Sequence, residues 1–259
     1  MHRSGLRPIR RHRWRLTPAQ AIALQSRMRS RLTIRDGPRA PRLIAGADVA
    51  YSKEHNRCFA AVVLIDVPSL KIVEQVTAES KLVFPYVPGL LTFREGPALL
   101  AAFARLKRRP DLIMFDGQGL AHPRRFGLAS HLGYLLGIPS IGCAKSILVG
   151  EHGPLGQAAG SSAWIVDRGE RLGAAVRTRD GVRPIYVSPG DGVGLKQAIR
   201  LALMATGKYR IPEPTRQADI LVGRFKRERL ARRKADKRGR SERAIPLTSD
   251  ATAPETHRS

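Results

Sequence analysis

Apolar and polar positions fall into two regimes along the chain. Near the start, Thr17-Pro18 followed by AQAIALQSRMRSRL predicts a helix capped by Thr17 with Pro18 at its first position, ending before Asp36-Gly37-Pro38. Leu43–Tyr51 (LIAGADVAY) is a short apolar run that reads as a buried strand. Arg57–Val67 and Lys71–Ser80 are rich in β-formers and are separated by Pro68-Ser69, so the three segments predict an antiparallel meander. The turn-rich stretch Phe84-Pro85-Tyr86-Val87-Pro88-Gly89 precedes a helix expected over Pro97–Arg108. Beyond it strand and helix alternate. Strand Asp111–Phe115, helix Phe126–Leu136 and strand Ile138–Ala144 come first, then short β pieces around Ala163–Val166, Arg171–Arg177 and Arg183–Val187. Helices Leu195–Ala205 and Gln217–Arg233 close the pattern. A meander followed by βαβ units predicts one α/β domain on a mixed sheet, over residues 16–233.

Composition changes this picture at the two ends. The 259 residues are 42% hydrophobic, enough for a buried core, and carry 46 Lys+Arg against 21 Asp+Glu, a formal charge of +25. Such a field favours polyanionic partners, nucleic acid first and an anionic membrane surface second. Met1–Arg15 holds six Arg and no acid, and Gly223–Arg243 holds eleven basic residues against three acidic, so the centre is an ordinary, moderately basic globular chain. Residues 1–15 are therefore expected to form a basic arm, and residues 234–259, charged or rich in Ser, Thr and Pro, a disordered tail. Only Cys58 and Cys143 are present, each in an apolar stretch, which argues against a disulfide framework or a Cys-ligated zinc site. No apolar run approaches the roughly 20 residues of a membrane span. The Arg-rich start lacks the apolar tract of a signal peptide, and cytoplasm is the default location.

The informative residues are acids set among apolar neighbours. Asp48 interrupts an otherwise apolar strand, where neither turn nor cap chemistry explains it. Asp116 stands at the C-terminal end of the strand DLIMF, the edge at which open α/β sheets bind ligands; the start of a turn with Gly117 explains it equally well. Glu95 precedes Gly96-Pro97 at an expected helix start, where capping is the simpler role. A buried carboxylate without a partner is costly, so each needs a cation or hydrogen-bond donors. Two acids on neighbouring strand ends with a third nearby make a hard-oxygen site suited to Mg²⁺ or Mn²⁺. On a basic chain this points to metal-assisted cleavage of a phosphodiester. Residue chemistry alone reaches as far as an acid-dependent nuclease.

Taken together, the motifs resemble the endonuclease V family, nucleases that cut nucleic acid near deaminated adenine. The matching stretches are Gly46-Ala47-Asp48-Val49-Ala50-Tyr51, Phe84-Pro85-Tyr86-Val87-Pro88-Gly89-Leu90-Leu91, Phe93-Arg94-Glu95-Gly96-Pro97 and Asp116-Gly117-Gln118-Gly119 with His122-Pro123. Gly142-Cys143-Ala144-Lys145, Tyr186-Val187-Ser188-Pro189-Gly190 and Pro214-Thr215-Arg216 with Ala218-Asp219 follow in order, so the resemblance covers about Leu16 to Phe225. It implies an RNase H-like mixed sheet flanked by helices. It also implies Mg²⁺-dependent hydrolysis, with Mn²⁺ as a substitute, of the second phosphodiester bond 3′ to a deoxyinosine, leaving 3′-hydroxyl and 5′-phosphate ends.

Carried over by motif, Asp48 and Asp116 ligate the metal, and Glu95 joins them as ligand or water-orienting base. Asp219 is a fourth acid on a helix facing the cluster, and Lys145 sets a cation against the scissile phosphate. His122 contacts a phosphate, orients a metal-bound water or supports its loop. Tyr86, held between Pro85 and Pro88, is implied as a wedge in the base stack left by an extruded nucleotide. Gly89, Leu90, Gly117 and Gln118 are the candidates for the lesion pocket. One departure stands out: where many relatives carry His after Ser188-Pro189-Gly190, this chain has Asp191. The basic tail lies outside the family pattern and is expected to raise DNA affinity through counterion release. The expected partner is deoxyinosine-containing DNA; inosine-containing RNA is the second reading, and no membrane or obligate protein partner is evident. A non-catalytic binder of the same fold is a third reading. The complete acid set argues against it, because a pure binder gains nothing from buried like charges.

Overall fold

The structure is a computed structural model that describes residues 5–243, with the side chains of 5–236. Helix α1 (Pro18–Arg29) begins as predicted. The Thr17 hydroxyl accepts from the Gln20 N–H while the Gln20 side chain accepts from the Thr17 N–H, a reciprocal cap that holds the first turn. Strands β1 (Leu43–Ser52), β2 (Arg57–Asp66) and β3 (Lys71–Lys81) form the antiparallel meander, with Asp48 opposite Ala61. Strand β2 is covered on both faces, which explains its unbroken apolar run. Cys58, Ala60, Val62 and Leu64 face one helical layer; Phe59, Ala61, Val63 and Ile65 face the other.

Next come α2 (Leu91–Phe103), β4 (Leu112–Phe115), α3 (Leu128–Leu136) and β5 (Ser140–Ala144). Strand β4 lies parallel to β1, and β5 parallel to β4. The later strands are β6 (Glu151–His152), β7 (Ser162–Asp167), β8 (Glu170–Val176) and β9 (Ile185–Pro189), followed by α4 (Leu195–Met204) and α5 (Glu213–Arg243). They give one sheet of order β3-β2-β1-β4-β5-β9-β8-β7-β6. Its antiparallel meander joined through β1 to parallel β4 and β5 is the RNase H-like arrangement. Helices α2 and α3 cover one face, α4 and α5 the other.

The expected parallel strands are β4 and β5; beyond them β9 returns antiparallel to β5, and β8, β7 and β6 continue as a second meander. Three expectations are corrected. Helix α2 starts at Leu91, six residues before the predicted start, and contains Pro97 in its interior. Burial of Thr92, Phe93 and Glu95 outweighs the start signal that Pro97 sends. Residues 5–15 of the expected arm pack on the domain: Leu6 is buried, the Arg10 guanidinium donates to the Tyr134 carbonyl at 2.7 Å, and Trp14 stacks on His131; residues 1–4 lie outside the described ones. Its arginines alternate with residues that have apolar surface to bury. Finally, α5 runs from Glu213 to Arg243, so ten residues assigned to the tail are helical; residues 244–259 lie outside the described ones.

Candidate active site

Alternation along β1 divides the site between two layers. Gly46, Asp48 and Ala50 point to the face covered by α5, and Ala47, Val49 and Tyr51 to the face covered by α2. Gly46 makes room for α5: a Cβ there would lie 1.9 Å from the Pro214 carbonyl oxygen, so the helix start rests directly on the strand. Asp116 follows the last residue of β4, and its N–H donates to the Ala47 carbonyl at 3.2 Å. This sets Asp116 beside Asp48 where β4 stops, so side chains from both faces can meet there.

The carboxylates crowd one another. Burial pushes Asp48 up to about 7, with the charges of Asp116 and Asp219 adding to the effect. Its Oδ1 accepts the Val49 N–H at 2.8 Å. Glu95 sits in the second turn of α2, away from the free N–H groups of the helix start, so it is not a cap. It is buried; its Oε1 accepts from the Tyr51 hydroxyl, and its Oε2 has no partner among the described residues. Burial raises it to about 8, against the Tyr51 hydrogen bond and reinforced by Asp48 and Asp116. Lys145, just after β5, lies 2.7 Å from Asp116 and 3.6 Å from Asp219. Burial works against its charge, but the contacts with Asp116 and Asp219 hold its ammonium above the ordinary lysine value.

Asp48, Asp116 and Asp219 thus surround Lys145, and Glu95 adjoins Asp48 and Asp116 from the other face. Among the described residues no three His, Cys, Asp or Glu side chains already stand as a finished ligand shell. The donor set nonetheless fits a hard divalent cation. It offers carboxylate oxygens alone, and one of them, Glu95 Oε2, is buried without a hydrogen bond. Two carboxylates lifted towards neutrality by burial are what an added cation would reverse.

Beside the acids opens a cavity of about 290 Å³, whose lining includes Tyr86, Gly89, Gly117, Gln118, Leu128 and Lys145. Tyr86 is 72% exposed at its rim, between exposed Pro85 and Pro88. Gln118 is fixed at both ends of its amide: Nε2 donates to the Ser146 carbonyl at 2.9 Å and Oε1 accepts from Ser188 Oγ at 3.4 Å. Leu90, a sequence candidate for the pocket, instead packs with Ala21, Phe84 and Phe93 under the loop. Of the three readings of His122, the structure favours loop support. Its Nδ1 accepts from the Arg124 N–H at 3.1 Å, so Nε2 carries the proton and donates to the Gly89 carbonyl at 2.9 Å. Both ring nitrogens are engaged, which leaves none for a phosphate or a water, and burial lowers the ring to about 4, so it is neutral. Its place in the structure is the support of the loop. Asp191 is equally structural: its carboxylate accepts the Thr33 N–H at 3.0 Å and its backbone pairs with Ser140.

Sequence reasoning passes over Tyr51, Gln25 and Arg124, all of which touch this constellation. Tyr51 closes the motif that contains Asp48, and Arg124 follows His122-Pro123 directly; Gln25, in the middle of α1, gives no signal of its own.

The endonuclease V family model matches residues 26–220, a span that contains Asp48, Glu95, Asp116, Lys145 and Asp219. Endonuclease V of Myxococcus xanthus is 52% identical over 216 residues, covering 83% of this chain and 92% of that protein. The crystal structure of endonuclease V from Streptomyces avermitilis matches with a TM-score of 0.81 at 44% identity, over 84% of this chain and 96% of that one. Endonuclease V of Ciona intestinalis, solved with a 24mer DNA containing an inosine followed by a ribo-adenosine, matches with a TM-score of 0.69 at 28% identity, over 81% and 98%. Sequence match and shared architecture thus coincide over the stretch in which the acids, the lysine and the tyrosine loop come together, and the chain belongs to the endonuclease V family.

Proposed function

We propose that this protein is a metal-dependent endonuclease that recognises deoxyinosine in DNA and hydrolyses the second phosphodiester bond 3′ to it. The observation that carries the reading is the meeting of Asp48, Asp116 and Asp219 at Lys145, with Glu95 adjoining Asp48 and Asp116, beside a cavity rimmed by an exposed tyrosine. The inosine in the DNA of the Ciona complex supports the choice of lesion.

In this reading Asp48 and Asp116 would hold Mg²⁺, or Mn²⁺ in its place. Such an ion would supply activation of water and neutralisation of charge on the leaving oxygen. Glu95 either completes the ligand set or acts as the base, its buried and unpartnered Oε2 taking the proton that the attacking water gives up. Phosphorus gains the water oxygen and loses the 3′ oxygen, which takes a proton from solvent and leaves as a hydroxyl, and the phosphate stays on the 5′ end of the next nucleotide. Lys145 holds the scissile phosphate against the acids, and its ammonium offsets the charge that develops there. Tyr86 fills the gap left in the stack when the lesion turns out into the cavity. At about 290 Å³ that cavity is at the small end of ligand sites, roughly 300 Å³, which suits a single base.

The test is a nicking assay with Mg²⁺ on matched strands, one carrying a single deoxyinosine in DNA and one inosine in RNA. The expected result is a DNA nick one nucleotide beyond the lesion, lost with EDTA and lost in Asp48→Ala, while the variant still binds the lesion. Cleavage of RNA alone would move the enzyme to RNA turnover. Normal cutting by Asp48→Ala would overturn the site.

A further inference from the structure

The loop that carries Tyr86 is held at two carbonyls. At its start Arg94 Nη1 donates to the Phe84 oxygen at 2.7 Å. At its end three donors meet on the Gly89 oxygen: Gln25 Nε2 at 3.0 Å, His122 Nε2 at 2.9 Å and Arg124 Nη2 at 2.7 Å. Between the two anchors lie Pro85 and Pro88, each with its φ fixed by the ring. The loop is therefore stiff along its length and bolted at both ends, with Tyr86 at the top.

The fastening at Gly89 is unusually complete. Gln25 is fully buried and uses its whole amide: Oε1 accepts Arg124 Nε at 2.6 Å, and Nε2 donates to the Phe126 carbonyl as well as to Gly89. Arg124 has no carboxylate within ion-pair distance among the described residues; its side chain is directed at two neutral oxygens, of Gln25 and Gly89. A part-buried cation is costly to place without an anion, and its hydrogen bonds are correspondingly strong. Gly89 itself has φ +76°, and a Cβ there would lie 2.6 Å from Arg124 Nη2, so another residue would strain the backbone and push the Arg124 guanidinium aside.

We infer that Gln25 and Arg124, with His122, clamp the Gly89 carbonyl so that the Tyr86 loop holds its place against a stacked duplex, which makes Gln25 and Arg124 positioning residues for extrusion of the lesion. The inference rests on the proposed function. Its logic is mechanical: a ring pushed into a base stack meets resistance, and a loop that yields leaves the stack closed. A single strand has no partner base to displace, so the clamp matters there far less.

The experiment compares wild type, Gln25→Leu, Arg124→Met and Arg124→Lys on a deoxyinosine duplex and on the same strand alone. Removing a charged hydrogen bond to the loop is expected to slow duplex nicking by about tenfold or more, with single-strand nicking within about twofold of wild type. Arg124→Lys, which keeps the charge and one donor, should recover part of the duplex rate and carries the test if the other variants fail to fold. A 2-aminopurine beside the lesion should brighten on binding wild type and stay quenched with Arg124→Met. Equal losses on both substrates, or unchanged duplex nicking, would overturn the clamp. Wild type inert on both substrates would instead overturn the proposed function, and the clamp with it.

Discussion

The Tyr51 hydroxyl donates to Oε1 of Glu95, while Oε2 of the same carboxylate is buried with no partner among the described residues. One half of Glu95 is thus fixed by the neighbouring strand and the other half is left for chemistry. Tyr51 and Glu95 belong to the α2 face of the sheet, Asp48 to the α5 face, and the two sets meet only because β4 ends at Phe115.

This crowding gives the protein a definite response to pH. Asp48 is raised from 3.8 to about 7 and Glu95 from 4.5 to about 8, so the folded state keeps protons that the unfolded chain has already lost. Stability without metal is therefore full below the ordinary carboxylate values and falls as pH rises towards about 8. A divalent ion needs both groups ionised, so its binding strengthens over the same window. In thermal melts the rise in Tm caused by Mg²⁺ should be larger at about pH 8 than at about pH 6. Asp48→Asn, which removes one of the repelling charges, should melt higher than wild type at the upper pH without metal and yet fail to nick. A metal shift that is flat with pH would contradict the account.

Gly46→Ala tests how the fourth acid is held. A Cβ there would lie 2.0 Å from the Pro214 carbonyl carbon and 2.6 Å from the Thr215 nitrogen, so the start of α5 must move. Overpacking of this kind costs about 1–3 kcal/mol. Nicking should fall further than stability alone explains, because Asp219 moves with the helix. Urea unfolding beside single-turnover rates separates the two; normal rates in a destabilised variant would show that the position of Asp219 is unimportant.

The basic face of α5 supplies a third expectation. Trimming the chain after Phe225 is too blunt a test, since it removes Leu230, which packs on β2, and the Arg229 and Arg233 hydrogen bonds to Glu79 at 3.0 and 2.7 Å. Arg224, Arg227, Arg232 and Lys234 are exposed and have no part in that packing. Replacing these four with Gln should flatten the plot of log K for DNA against log salt by about 0.9 for each phosphate that is no longer neutralised. An unchanged slope, with helicity retained by circular dichroism, would show that α5 lies clear of the DNA.

The parts of the fold legible in the sequence are those with local cause. The β-rich run Arg57–Val67 announces a strand, and Thr17-Pro18 announces a capped helix, because each depends on neighbouring residues alone. Asp48 and Asp116 can be singled out because an acid in an apolar strand needs a reason. The direction of β9 has no such signal, since short strands read the same either way. Pro97 misleads because its start signal is overruled by the burial of Phe93, a tertiary effect. Arg124 and Gln25 are ordinary polar residues in sequence; their role exists only where α1 and the segment after β4 meet over Gly89.

The closeness of Gly46 to Pro214 also orders events in time. The strand that carries the first acid is made early in synthesis, but the helix that covers it, and that brings Asp219 to Lys145, comes more than 160 residues later. A nascent or prematurely terminated chain holds Asp48, Glu95 and Asp116 while their other flank stands open. A DNA-cutting centre built this way is completed when α5, the last element among the described residues, settles on β1.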